Sequence, residues 1–210
     1  MALSDAVEAQ LLNYITAEMV QDLAHDINHV LRVVKTAKLL CLQEGGIAEV
    51  VVPAAYLHDC FSYDKDHPAR AASSKIAADK AVNFLAGINY PEHYLSAIYH
   101  AIVAHSYSAR ITPETLEAKI VQDADRLDAL GAIGIARCVQ VSAALGSPLY
   151  SIDDPFCASR SPDDGAYTID HFYKKLFQLA DLMHTASAKL QAQARTRYMQ
   201  QYLTQLESEI

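Results

Sequence analysis

The stretch Tyr56-Leu57-His58-Asp59-Cys60 decides how this chain is read. It closes an apolar run, about residues 48–59, that has the composition of a buried helix. An imidazole and a carboxylate at the end of such a run are costly to take out of water without partners. Adjacent residues point about 100 degrees apart around a helix of 3.6 residues per turn. His58 and Asp59 therefore reach one point only if the helix aims its end at it. A divalent cation at that point would satisfy both groups.

Two further residues extend the pattern outward: His29 before the run and Asp125 after it. His25 and His29 stand four apart and can share a helical face, but only His29 begins a clear helix interior. Asp125 lies in Lys119-Ile120-Val121-Gln122-Asp123-Ala124-Asp125-Arg126-Leu127-Asp128. Three Asp residues weaken a helix, so another interaction must favour at least one of them. Taken singly, each His reads as a core or surface residue and Asp125 as part of a solvated face. Together, two imidazoles and two carboxylates form a donor set suited to Mn, Fe, Ni or Zn, or to a Mg-assisted site. The expected metal ligands are His29, His58, Asp59 and Asp125, around one divalent ion.

Helical periodicity runs along the rest of the chain and strand alternation is nearly absent, so the expected fold class is all-α. Helices are expected at about residues 4–20, 26–44 and 48–59. Asp26 is placed to cap the second, and Gly45-Gly46 to end it. A fourth opens at His67-Pro68 and runs to Gly87, and a fifth starts near Pro91. A sixth starts at Thr112-Pro113-Glu114, which offers a capping hydroxyl, Pro at the first helical position and an early acid. A seventh covers 131–145. Residues 146–166, with Pro148, Pro155, Pro162 and Gly165, read as a long irregular loop, either an active-site lid or a surface excursion. Two helices or one bent helix follow, whose Leu176, Leu179, Leu190, Leu203 and Leu206 close the core or offer a surface to a second copy in a homodimer. The 210 residues are read as one compact helical bundle, with a core at about 20–145 and a loop and helical extension at about 146–210.

Composition narrows the function classes. Apolar residues make up 51% of the chain, enough for a substantial core. The net charge of −8 argues against a nucleic-acid polymer or an anionic membrane surface as partner. It leaves room for a small phosphorylated ligand in a local basic cleft. Glu49 and Pro53 interrupt the best candidate for a membrane span, and the first residues do not resemble a secretory signal. Cys41, Cys60, Cys138 and Cys157 are dispersed, without paired zinc spacing. They read as reduced thiols, which makes a cytoplasmic location the expectation. No Walker loop, dinucleotide glycine fingerprint or Gly-x-Ser-x-Gly motif is present.

The pattern of a His, a His-Asp dipeptide and a distant Asp, all on helices, resembles the HD-domain superfamily of metal-dependent phosphohydrolases. Ala24-His25-Asp26-Ile27-Asn28-His29, Leu57-His58-Asp59, His67-Pro68-Ala69-Arg70 and Val121 to Ala132 are similar to its bacterial YedJ/YpgQ-like branch. The resemblance implies an HD-domain bundle, and hydrolysis of a phosphoester or phosphoanhydride in a nucleotide or similar phosphate. Its narrower form is a nucleoside triphosphate pyrophosphohydrolase. Members acting on deoxynucleoside monophosphates place a Glu three residues after the dipeptide; Ser62 stands there in this chain, which does not support a mechanism relying on that Glu. Binuclear members add His ligands in the interval that here holds His67, His100 and His105. His100 and His105, five apart, share a helical face poorly, so one ion is favoured.

Asp59, Asp26, His67 and Asp128 are the acid/base candidates. For the last three, the alternatives are a helix cap, a helix-opening residue and a surface charge. Lys65, Arg70, His105 and Arg126 are the substrate-binding candidates, with Arg suited to clamp two phosphate oxygens. Arg126 could instead pair with Asp123 or Gln122, and His105 could simply end its helix. A noncatalytic, metal-stabilised nucleotide-binding or sensing protein is the alternative function.

Overall fold

The computed structural model describes residues 3–19, 26–63, 67–106 and 109–210, and every regular element among them is helical. Two compact units emerge, Met1–Asp125 and Arg126–Ile210.

The first unit is organised around helix α3 (Ala48–Leu57), which is buried from Val50 to Leu57. A helix that is apolar on all sides must be covered on all sides. α3 packs against α1 (Asp5–Glu18), α2 (Ile27–Glu44), α4 (Ser73–Gly87) and α5 (Glu92–His105). Its single irregularity has a local remedy. Pro53 has no N–H, so the carbonyl of Glu49 loses its helical donor. The hydroxyl of buried Tyr90 donates to that oxygen at 2.7 Å.

The ends of α2 follow local chemistry. Asp26 caps the first turn, and Gly45, at φ +80°, takes the left-handed conformation that stops the helix. α6 (Leu116–Leu127) is tied to the turn between α2 and α3 by Glu117, which accepts the Ile47 N–H at 3.1 Å.

Three expected boundaries move. α3 stops at Leu57, with His58 as its cap residue, rather than running through Asp59. The fourth helix does not open at Pro68: a 3-10 turn at Arg70–Ala72 leads into α4 at Ser73. Tyr63 is tied to this turn, since Ser73 Oγ accepts its N–H at 3.0 Å and Arg70 donates to its carbonyl. The sixth helix is capped by Thr115 rather than Thr112, its Oγ1 accepting the Ala118 N–H at 3.2 Å.

In the second unit, α9 (Ala186–Glu207) packs on α7 (Gly131–Ala144) and on a 3-10 segment at Leu176–Leu182, which also meets the short α8 (Asp170–Lys174). Leu176, Leu179 and Leu203 are buried, whereas Leu190 is largely exposed. The long irregular stretch after α7 is ordered by its own hydrogen bonds. Its two ends run side by side, with Thr168 N–H on the Pro148 carbonyl and Ile169 N–H on the Leu149 carbonyl, both at 3.0 Å. Inside it, Asp154 accepts the N–H groups of Ala158, Ser159 and Arg160. Arg160 forms a two-pronged ion pair with buried Asp170. No single helix among the described residues is long and apolar enough to cross a membrane.

Candidate metal centre

His58 sits where α3 ends, its ring fully buried. Its Nδ1 lies 2.8 Å from the carbonyl oxygen of Ala55, so Nδ1 carries the proton and Nε2 faces inward with its lone pair. His29, in the first turn of α2, is also buried and brings its Nε2 to 3.4 Å from that of His58. Asp26 sets the start of this turn: its Oδ1 accepts the His29 N–H at 2.7 Å.

The carboxylates close around these rings. Asp59 Oδ2 is 3.4 Å from His58 Nε2 and 3.7 Å from His29 Nε2. Asp125, on α6, brings Oδ1 to 3.4 Å from His29 Nε2 and 4.0 Å from His58 Nε2. A fifth group joins them. His105, the last residue of α5, is buried, and its Nε2 lies 3.6 Å from Asp59 Oδ1. Its Nδ1 is fixed by the Ile102 carbonyl at 2.6 Å.

Among the described residues, two sets of ligand atoms have the spacing to hold an ion, His29–His58–Asp125 and His58–Asp59–His105, each with its atoms within 4.8 Å of one another. They share His58, so together they describe one cluster. Its chemistry fits a divalent ion: buried imidazole nitrogens face one another, and the carboxylates stay ionised among them. Burial pushes the Asp59 carboxyl upward, but His58 and His105 outweigh it and hold the group well below the usual carboxylate range. Asp125 is likewise pushed up by burial and brought down further by His29, His58 and His105. Burial disfavours charged His105, yet the two acids prevail and raise its affinity for a proton. A cation in place of that proton answers the same field.

The other candidates occupy varied places. The Asp26 carboxylate is committed to the His29 N–H and to the side chain of Asn28 at 2.9 Å. Burial would raise its pKa, but those two donors lower it. His67 is exposed, stacked on Tyr63 with ring centres 4.0 Å apart, and its Nδ1 accepts the Ala69 N–H at 3.1 Å. Arg70 holds the Tyr63 carbonyl. Arg126 donates to the Leu182 carbonyl at 2.6 Å, a partner remote in sequence. Asp128 is buried rather than a surface charge, paired with Arg137 at 2.8 Å. Lys65 and His25 lie outside the described residues. Cys60, beside the dipeptide, donates to the Ala77 carbonyl, and burial pushes its thiol up to about 12. That thiol is not a nucleophile at neutral pH.

His105 is the member whose place among the ligand atoms the sequence pattern did not reveal; it was expected against the substrate. Its distance of five residues from His100 counted against a common site, and the two do part. His100 Nε2 accepts the Glu114 N–H at 3.0 Å instead.

Comparison with known proteins identifies the family. The HD domain family model matches residues 26–130. The uncharacterized protein YpgQ of Bacillus subtilis (strain 168) is 34% identical over 190 residues, covering 89% of this chain and 84% of that protein. The crystal structure of Bacillus subtilis YpgQ in complex with ADP superposes with a TM-score of 0.74 at 30% identity, over 96% of this chain and 94% of the other. An HD-superfamily hydrolase from Bacillus thuringiensis gives 0.74 at 33% identity, over 98% and 96% of the two chains. With His58-Asp59 inside the matched span, this chain belongs to the HD-domain family.

Proposed function

We propose that this protein is a divalent-metal-dependent phosphohydrolase acting on a nucleotide. The observation that carries the reading is the gathering of His29, His58, Asp59, His105 and Asp125 in one cluster, with all three imidazoles turning Nε2 inward. A metal in this cluster supplies a lowered pKa for water and positive charge for a phosphoryl oxygen.

The chain's own groups do the rest. The Ala55 and Ile102 carbonyls hold His58 and His105 in the tautomer that leaves Nε2 available. Asp59 and Asp125 remain ionised and supply the negative charge that retains a dication. Hydrolysis breaks one P–O bond, adds the oxygen of water to phosphorus and leaves a proton to be accepted. Of the four acid/base candidates, Asp59 belongs to the cluster itself. Asp26 and Asp128 already have donors on their carboxylates, and exposed His67 has an acceptor nitrogen engaged.

Nucleotide as the substrate class is supported by the ADP complex of the related YpgQ. A nucleoside triphosphate cleaved to monophosphate and pyrophosphate is the narrower form. In it, Arg70 is the first cation to test, because it stands beside the segment that follows the dipeptide, donating to the Tyr63 carbonyl. The test is a screen of phosphomonoesters, diesters and nucleoside mono-, di- and triphosphates with Mn, Mg, Ni and Zn. Metal-dependent release of pyrophosphate from a triphosphate is the expected result. Nucleotide binding without turnover under any metal would replace this reading with a noncatalytic sensor.

A further inference from the structure

We infer that Gln122 is a positioning residue for this cluster, joining the two helix ends that carry His105 and Asp125. The inference rests on the metal reading above and extends it to a residue outside the ligand set.

α5 ends at His105, so the carbonyl of Ala104 is among the last four that find no N–H within their own helix. Ala104 is fully buried, which denies that oxygen ready access to water. The side-chain amide of Gln122 donates to it at 2.6 Å. Gln122 is itself only 3% exposed, so its amide needs an internal acceptor as much as the carbonyl needs a donor.

The placement gives this bond its consequence. Ala104 immediately precedes His105. Gln122 stands three residues before Asp125, one turn away on the same side of α6. One hydrogen bond therefore fixes the last turn of α5 to the turn of α6 next to the ligand carboxylate. The same turn of α5 is secured a second time by His105 Nδ1 on the Ile102 carbonyl. The covalent connection between α5 and α6 runs through residues 106–115, which is long enough to leave the spacing of the helix ends to side chains.

Only a donor of this length satisfies the position. Met fills similar volume but donates nothing, and an ionised Glu turns a second oxygen on the carbonyl.

The experiment is a calorimetric titration of the full metal-free chain with Mn²⁺ alone. It compares wild type, Gln122→Met, Gln122→Glu, His105→Ala and the double variant Gln122→Met/His105→Ala, with circular dichroism and melting of each metal-free protein alongside. Gln122→Met is expected to weaken Mn²⁺ binding about tenfold in a folded protein, and Gln122→Glu at pH 7.5 at least as much. In the His105→Ala background the Met substitution is expected to add less than twofold, because its effect passes through the missing ring. Unchanged Mn²⁺ affinity in a folded Gln122 variant, or losses that multiply fully in the double variant, would overturn the inference and leave Gln122 a role in stability alone. Gln122→Glu decides if Gln122→Met does not fold. A wild-type chain that takes up no Mn²⁺ would instead remove the metal reading itself, and this inference with it.

Discussion

The Nδ1 atom of His58, the residue that caps α3, lies 2.8 Å from the carbonyl oxygen of Ala55 in the last turn of that helix. That contact determines which nitrogen of His58 carries the proton, and so turns a lone pair toward His29 Nε2 at 3.4 Å. Nitrogens so close in a dry interior need a proton or a cation between them. The cluster therefore couples metal uptake to stability. Mn²⁺ at a hundred times its dissociation constant is expected to add about 2.7 kcal/mol, which raises Tm by roughly 5–10 °C for a chain of this size. Differential scanning calorimetry with Mn²⁺ and then with EDTA measures it; an unchanged Tm would speak against a bound ion.

In the proposed metal centre, Asp59 and Asp125 supply the charge that would retain the ion. Asp59→Asn and Asp125→Asn keep the shapes and remove one negative charge each. Each is expected to lower Mn²⁺ affinity by about a hundredfold or more, beyond the 10–100-fold typical of outer partners. Equilibrium dialysis at fixed free Mn²⁺ gives the result, and wild-type retention by either variant would take that residue out of the ligand set.

Asp26 separates a cap from a base. Its carboxylate accepts the His29 N–H, a bond that Asn can also accept. Asp26→Ala is expected to cost about 1 kcal/mol of stability, whereas Asp26→Asn keeps both Tm and turnover near wild type. A folded Asp26→Asn protein with turnover reduced a hundredfold would make Asp26 the proton acceptor.

Asp170 gives the second unit a pH dependence. Burial alone would raise its carboxyl pKa, but Arg160 and the Asp163 N–H prevail and lower it. A carboxyl lowered in the folded state stabilises fully above its unfolded value of about 3.9, and that contribution fades as pH falls through the folded value. The Tm difference between wild type and Asp170→Asn is therefore expected to be largest near neutrality and to shrink on acidification below about pH 4. A difference that stays constant down to pH 2 would contradict the ion pair's part in it.

Gly134 tests the packing after α6. A Cβ built there would sit 2.2 Å from the Ala129 carbonyl oxygen, a contact that only backbone movement can relieve. Although Ala is the better helix former, Gly134→Ala is expected to destabilise by about 1–3 kcal/mol. Urea unfolding measures it, and a neutral or stabilising outcome would show that the corner after α6 yields.

What the sequence discloses tracks how local the cause is. Asp26 as a cap and Gly45 as a stop are written within a few residues of where they act, and both hold. The burial of α3 is visible because no residue from Val50 to Leu57 carries a charge. The family, too, is legible in the spacing of His29, His58-Asp59 and Asp125. Thr112, followed by Pro113, is the cap that a local reading selects, whereas the fold uses Thr115. At the start of α4, Ser73 and Arg70 bind the backbone of Tyr63, contacts that a local reading does not supply. His105 joins the cluster because of where the last turn of α5 lies, which no spacing along the chain encodes. Gln122 is hidden for the same reason: its partner is the backbone of a residue 18 positions away.

The number of Mn²⁺ ions bound per chain tests the central claim most directly, measured by electron paramagnetic resonance titration of metal-stripped protein. One ion per chain is expected for wild type, and none at the same free Mn²⁺ for folded His58→Ala, since His58 belongs to both ligand sets. A wild-type chain that binds none, or a His58→Ala chain that binds one as tightly as wild type, would contradict it.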